Sequence, residues 1–307
     1  MISIVIPVRN GGAGLALCLD AIAEQQADDE VEVVVVDSGS TDGSVDLARS
    51  RGARVQIIQP RDFTHGGSRN LGAELARGET LVFTSQDAYP VDDAWLAHLC
   101  RALREQPTVA AVYGRQLPHN DARPPERYFL EFVYGPVART QIVEKTSDLS
   151  MDATLFSNVN SAIRRSVWEE FHFADDIIMG EDQEWAVRVL LAGYSLRYEP
   201  LAAVRHSHTY SIRSAFSRFF DSGVSAERTY LAGARPSARV LRGAAWRYGV
   251  GEVEWLWRSG QWRWIPYAAV YESSKFAGLQ LGIRHRRLPR WLKLRLSAHP
   301  RYWDGAR

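Results

Sequence analysis

Five short stretches carry acidic, basic or imidazole side chains at positions where they could do chemistry. In VVVVDSGSTDGS, Val33 to Ser44, Asp37 closes an apolar run. A carboxylate at the carboxyl end of a buried strand can accept hydrogen bonds from a nucleotide base or from ribose hydroxyls. The plainer reading makes it a turn residue, with Ser40, Thr41 or Asp42 capping the next helix. His65-Gly66-Gly67-Ser68-Arg69-Asn70 offers two glycines that let backbone N–H groups approach an anion, and an arginine able to grip phosphate with two prongs. Ser85-Gln86-Asp87 follows the apolar run LVFT, which places Asp87 as an oxygen ligand for Mg²⁺ or Mn²⁺. Such an ion would neutralise charge on a departing diphosphate.

Gly180-Glu181-Asp182 opens a helical pattern whose apolar face runs through Trp185, Val189 and Leu190. Acidic residues are common in a helix's first turn. The functional reading makes Asp182 the general base that removes an acceptor hydroxyl's proton, with Glu181 holding it. His206 and His208 close the last strand in AVRHSHTYS, and alternation sends both to the same side. One can supply a nitrogen ligand to the same ion, a role that suits Mn²⁺ better than Mg²⁺, and His206 is the favoured one.

These groups need a scaffold that brings them together. Ser3–Val8, Glu32–Val36, Val55–Gln59, Thr80–Thr84 and Val109–Tyr113 have the composition and length of buried parallel strands. Leu15–Gln25, Ser44–Arg51, Ser68–Arg77 and Trp95–Glu105 alternate with them at helical spacing. This repetition predicts a doubly wound α/β fold with a mixed, mostly parallel sheet and right-handed crossovers. Ligands of such sheets bind at the carboxyl ends of the strands, where the unusual residues fall. Residues 115–150, punctuated by four prolines, read as a loop-rich mobile or acceptor-facing insertion. Beyond them the pattern predicts helices at Ala162–Phe171 and Glu181–Gly193, strands at Ser195–Tyr198 and Ala203–His206, and a long helix from Ser211 to about Leu231.

The bulk numbers describe a folded chain: 307 residues, 46% hydrophobic and 24% charged. A net charge of +1 hides a segregation. From Arg235 onward there are 13 Arg and 2 Lys against 3 Glu and 1 Asp, a net +11, leaving −10 for residues 1–234. Cys18 and Cys100 both fall in expected helices and suggest neither a disulfide framework nor a CxxC metal pair, as suits a reducing cytoplasm. Met1–Val8 is too short for a secretory signal, and no stretch has the roughly 18 apolar residues of a membrane span.

Taken in order, IVIPVRN (Ile4–Asn10), VVVVDSGSTDGS, GGSRN, SQD, GED and GYSLRYEPLAAVRHSH resemble the family 2 glycosyltransferases of GT-A fold over roughly residues 1–225. The resemblance implies a nucleotide-diphosphate sugar donor, a divalent cation (Mg²⁺ or Mn²⁺), and a single displacement that inverts the anomeric centre. It puts Pro7, Arg9, Asp37, Arg69 and Gln86 on the donor, with Asp87 and His206 on the metal. Asp182 becomes the base with Glu181 beside it, and Asn158, Asn160 and Trp185 fall on the sugar or acceptor side. One departure is Ser85, which stands where the familiar metal motif has a first acidic residue. FTHGGSRN, TSQDAYP and SNVNSAIRRSVWEEFHF are similar to the bacterial rhamnosyltransferases, which implies dTDP-L-rhamnose and a glycan or lipid-linked glycan acceptor in O-antigen or other surface polysaccharide synthesis.

Two units are expected, residues 1–232 for nucleotide-sugar binding and catalysis and 233–307 as a basic helical extension. The extension holds seven of the ten tryptophans. Arg284, Arg286, Arg287, Arg290, Lys293 and Arg295 interleave there with Leu288, Trp291, Leu292 and Leu294, as in a segment lying on an anionic membrane. A packed helical subdomain with solvated arginines is the plainer reading. No nucleic-acid-binding signature accompanies the charge. These features together predict a cytoplasmic enzyme, peripheral on the inner face of the cell membrane. The rivals are a UDP-hexose-using enzyme of the same fold, a non-catalytic nucleotide-sugar binder and a nucleotidyltransferase. The last would need a glycine- and lysine-rich first turn, and Arg9-Asn10-Gly11-Gly12 lacks the lysine.

Overall fold

The computed structural model describes residues 1–229, 231 and 238–304. The first half is built as the alternation predicts. Strands β1 (Ile2–Val8), β2 (Val31–Asp37), β3 (Arg54–Ile57) and β4 (Thr80–Thr84) are linked by helices α1 (Gly12–Ala23), α2 (Ser44–Ser50) and α3 (His65–Leu75). The strands lie parallel in the order β3-β2-β1-β4. Their side chains alternate between two cores. Val5, Val34, Leu81 and Phe83 pack on one face of the sheet, and Ile4, Ile6, Val35 and Val82 on the other. Covering both faces is what an unbroken Val/Ile run requires.

The chain continues through β5 (Tyr89–Pro90), α4 (Trp95–Arg104) and β6 (Val109–Leu117), then α5 (Pro124–Val133), β7 (Arg139–Gln141) and β8 (Asn160–Arg164). After α6 (Arg165–Glu170) and α7 (Glu181–Leu191) comes β9 (Ser195–Arg205). Four helices complete the described chain: α8 (Ile212–Ser225), α9 (Ala238–Arg258), α10 (Ile265–Ile283) and α11 (Arg290–Leu296). The sheet order is β3-β2-β1-β4-β8-β6-β9-β5, with β7 also paired to β9. Strand β8 is antiparallel to both β4 and β6, and β9 is parallel to β6. Strands β1, β2, β4, β6 and β9 therefore all end at one sheet edge, and β8 begins there.

Four expectations need correction. Ala162–Phe171 is not one helix: Asn160–Arg164 is a strand, and only Arg165–Glu170 is helical. The stretch NSAIR sits between two strands and is buried on both faces, so tertiary pairing overrides its helical spacing. Residues 115–150 are not mainly loop. Strand β6 runs on to Leu117, and Pro124-Pro125 starts α5 rather than breaking structure, because proline lacks only an N–H that the first helical turn would leave unpaired. The two expected strands at 195–206 are one strand. The helix expected to reach Leu231 starts as predicted, with Ser211 Oγ accepting from Ser214 N, but ends at Ser225. The expected unit boundary at residues 232 and 233 lies outside the described residues.

Helices α8 and α10 meet backbone to backbone. A Cβ on Gly278 would stand 2.4 Å from Phe216 O, and one on Gly282 would stand 2.0 Å from Phe220 O. Glycine is required at this crossing, and it locks α10 against α8. No helix among the described residues is long and apolar enough to cross a membrane.

Candidate functional site

At the ends of β1 and β2 two loops lock together. Asn10 takes a left-handed conformation at φ 50°, its N–H donates to Ser40 Oγ (2.8 Å), and its own Oδ1 accepts from Thr41 N (2.8 Å). Gly12 N donates to Asp42 Oδ2 (3.0 Å), and Asp42 Oδ1 accepts from Ser44, so Asp42 is structural. Asp37 lies buried between the loops. Its Oδ1 accepts the N–H groups of Gly39 and Ser40 at 3.0 and 2.9 Å, while its buried Oδ2 has no partner. A buried lone carboxylate oxygen at a strand end is an acceptor awaiting a donor. Pro7 is half-buried and Arg9 exposed on the same edge.

After β4, Gln86 spans the gap to β1. It accepts Arg9 N at 2.8 Å and donates to Arg9 O at 3.2 Å. Its amide is thus used on backbone, and Gln86 positions the Arg9 loop. Asp87 is half-exposed and faces both histidines beyond β9, with Oδ1 3.8 Å from His206 Nε2 and Oδ2 3.6 Å from His208 Nδ1. The ligating atoms of Asp87, His206 and His208 all lie within 4.8 Å of one another, the one such cluster among the described residues. His208 was weighed in the sequence as an alternative to His206, and the fold brings in both.

The tautomer of His206 is set from behind. Its Nδ1 lies 2.9 Å from Gln116 Oε1, while Gln116 Nε2 donates to Tyr134 OH (2.7 Å) and Ser157 Oγ (3.1 Å). With the amide so oriented, Nδ1 carries the proton and Nε2 presents its lone pair to Asp87. Burial, reinforced by His208 and Arg218, pushes the His206 pKa well down and keeps the ring neutral, as a metal ligand must be. Burial also lowers His208. The His208 backbone N–H is held by the Glu126 carboxylate of α5. Gln116 was missed in the sequence, where the one signal was a polar pair, Arg115-Gln116, closing the apolar run VAAVYG.

The same network reaches Asp182. Ser157 precedes Asn158, whose backbone N–H donates to Asp182 Oδ2 at 3.2 Å, and Asp182 Oδ1 accepts from Gln183 N at 2.9 Å. Burial, with the Glu181 carboxylate adding to it, raises the Asp182 pKa to about 7, although Arg69 and the two N–H groups pull the other way. Asn158 is buried, its Oδ1 accepts from Ser161 Oγ (3.0 Å), and its Nδ2 has no partner. Asp87 and Asp182 thus stand at one sheet edge, bridged by His206, Gln116, Ser157 and Asn158.

Other expected site residues turn inward. Arg69 is buried and pairs with Glu181 at 2.9 Å, so it is not a solvent-facing phosphate grip. Helix α3 starts at His65, capped by Thr64 Oγ1, which absorbs both glycines into its first turn. A Cβ on Gly66 would lie 2.1 Å from Ala174 O, so glycine is needed there for chain packing and not for a ligand. Asn160 is fully buried, accepting Trp95 Nε1 (2.8 Å) and donating to Ala202 O (2.8 Å). Trp185 is fully buried against Phe156 and Phe173, and its Nε1 donates to Phe171 O. Neither residue reaches the cleft, and truncating such a tryptophan costs about 3–5 kcal/mol of packing.

A cation the sequence did not single out lies near the two histidines. Arg218 of α8 is exposed, 5.6 Å from the Tyr210 ring, which lies 5.3 Å from the His208 ring. Its charge is felt at His65, His206, His208 and Tyr210.

The family described as "Glycosyl transferase family 2" matches residues 3–171. The chain is 34% identical to the O-antigen chain rhamnosyltransferase RfbN of Salmonella typhimurium, over 99% of this chain and 96% of that one. It is 31% identical to the O-antigen chain rhamnosyltransferase WbaN of Salmonella anatum, with the same coverage of 99% and 96%. Among solved structures, a mannosyltransferase of Pyrobaculum calidifontis in complex with GDP-Man and Mn²⁺ shares the fold (TM-score 0.58, 20% identity, 98% of this chain and 84% of that one). So does TarS of S. aureus (TM-score 0.55, 16% identity, 93% and 91%).

Proposed function

The chain belongs to glycosyl transferase family 2, and from that premise we propose that it moves L-rhamnose from dTDP-L-rhamnose to a hydroxyl of a glycan or lipid-linked glycan in surface polysaccharide synthesis. That it is a glycosyltransferase follows from the family. The choice of sugar is supported by two rhamnosyltransferase relatives that match nearly the whole chain. The observation that carries the mechanism is the pairing of a carboxylate–imidazole cluster with a neutral-range carboxylate across one sheet edge.

The donor's nucleoside lies over β1 and β2, with Pro7 and Arg9 lining it and the free Asp37 Oδ2 accepting a base N–H or a ribose hydroxyl. Asp87, His206 and His208 fit a divalent cation: one oxygen and two neutral nitrogens suit Mn²⁺ better than Mg²⁺. Bound there, the ion would neutralise charge on the leaving diphosphate. Arg218 adds a positive group on the same side. Asp182 takes the proton of the acceptor hydroxyl, whose oxygen forms the new bond to the anomeric carbon. The bond to the diphosphate breaks on the opposite face, its electron pair leaves with the nucleoside diphosphate, and the configuration inverts. Asn158, with a free Nδ2 beside the base, holds the sugar or acceptor.

The test is a panel of dTDP-L-rhamnose, GDP-mannose, UDP-glucose and UDP-N-acetylglucosamine, each incubated with Mn²⁺ or Mg²⁺ while released nucleoside diphosphate is scored. Turnover of dTDP-L-rhamnose is expected. Turnover of a UDP-hexose without it would overturn the donor and leave the family standing.

A further inference from the structure

The basic cluster at 284–295 is largely spent within the protein. Arg286 pairs with Glu227 at 2.9 Å, Arg284 binds Gln280, Arg290 donates to Trp303 O, and Lys293 sits 5.0 Å over the Trp303 ring. A different surface of the same extension is unpartnered. Along α9, Trp246, Val250, Val253 and Trp257 recur at intervals of four, three and four residues. At 3.6 residues per turn they fall within about 60° of one another. All four are exposed, Trp246 at 73% and Trp257 at 69%.

The opposite face of α9 is fully occupied. Tyr248 packs on Tyr128 (5.1 Å) and Phe132 (5.1 Å), Trp255 Nε1 donates to Glu131 (3.0 Å), and Glu252 and Leu256 are buried. The outward stripe is therefore not a disordered edge of the core. It is a second apolar face on a helix already anchored through its first. Exposed Arg247 and Arg263 flank it, while Arg258 is paired with Glu254 at 2.7 Å, and Trp262, also exposed, extends it past the helix end with Arg263 stacked on its ring (5.3 Å).

We propose that this stripe, Trp246–Val250–Val253–Trp257 with Trp262, is a docking face for an anionic lipid bilayer, on which α9 lies flat. Tryptophan favours the depth of the headgroups, arginine at the flanks meets lipid phosphate, and the segment's net +11 complements an anionic surface where a second copy of this chain would repel it. The proposal rests on the reading of a lipid-linked acceptor and gives it a place. Helix α9 backs directly onto α5, and α5 supplies the Glu126 carboxylate that holds the His208 backbone at the metal cluster. One helix separates the bilayer face from the catalytic edge.

The experiment is flotation of the full chain with vesicles of phosphatidylcholine alone or mixed with phosphatidylglycerol. Nucleoside diphosphate release from the donor is measured in the same samples. The wild type should float with the anionic vesicles. Trp246→Glu with Trp257→Glu should lower the bound fraction at least about ten-fold with turnover unchanged, and Trp246→Leu with Trp257→Leu should retain most of it. A double Glu variant that floats like the wild type would overturn the face. So would a wild-type dimer in vesicle-free buffer that the Glu pair dissociates, because the stripe would then join two copies. Loss of turnover with flotation intact would count against the proposed reaction and leave the surface in place.

Discussion

Gln116 Oε1 accepts the His206 Nδ1 proton at 2.9 Å, so an amide at the carboxyl end of β6 decides which imidazole nitrogen faces Asp87. Neither residue works alone: without the amide, the ring can hold its proton on Nε2 and stop being a ligand there. Replacing Gln116 with Ala should weaken Mn²⁺ binding about 10- to 100-fold, the usual effect of losing a ligand's outer partner. Calorimetric titration of the metal checks it. Activity should recover at saturating Mn²⁺, and an unchanged metal affinity would refute the tautomer argument.

Asp182 must be ionised to act as a base, and its pKa is raised to about 7 by burial and Glu181. Transfer should therefore rise with pH through about 7 and fall away below it. Because the folded pKa lies above that of an unfolded Asp, ionising it between the ordinary Asp range and about 7 costs stability rather than adding it. Asp182→Asn should lower kcat by about 10²–10⁴-fold and flatten the acidic limb of the rate profile. A variant profile that kept that limb would assign the proton to another group.

The buried Arg69–Glu181 pair gives a different kind of expectation. Arg69→Met leaves an uncompensated carboxylate beside Asp182, which should cost about 3–5 kcal/mol in urea unfolding. Adding Glu181→Gln should return most of that loss. If Arg69 instead gripped the diphosphate, the single variant would raise the donor KM with stability intact.

Arg218, by contrast, is exposed and should be dispensable for folding. Arg218→Ala should lower kcat/KM for the donor by about 10²-fold, as loss of a charge-stabilising group does, with an unchanged unfolding midpoint. Steady-state kinetics beside thermal unfolding separates the two effects.

How legible the site was depends on how each residue makes its contacts. The convergence of Asp37, Asp87, Asp182 and His206 on one edge was readable because each lies at or beside the end of a strongly patterned element, and strand polarity alone carries such ends together. Arg69, Asn160 and Trp185 turn inward for a reason that no local pattern carries. Their partners, Glu181, Ala202 and Phe156, lie 112, 42 and 29 residues away, and nothing local distinguishes an inward side chain from an outward one. Asn160 in particular sits in a strand whose residues have helical spacing, and only its insertion between β4 and β6 decided the matter.

The amino-acid order by itself determined the alternating first half, the family, the segregation of charge and the set of groups able to do chemistry, because these depend on periodicity and residue type. Only the folded chain decided which of those groups meet. Packing the Ala174 carbonyl against Gly66 committed that glycine to the chain's own contacts, and pairing β8 antiparallel brought Asn158 to Asp182. Close packing on one side of α9 left Trp246 and Trp257 on the other. Burial and long-range hydrogen bonding are properties of neighbours in space, and a sequence names neighbours only along the chain.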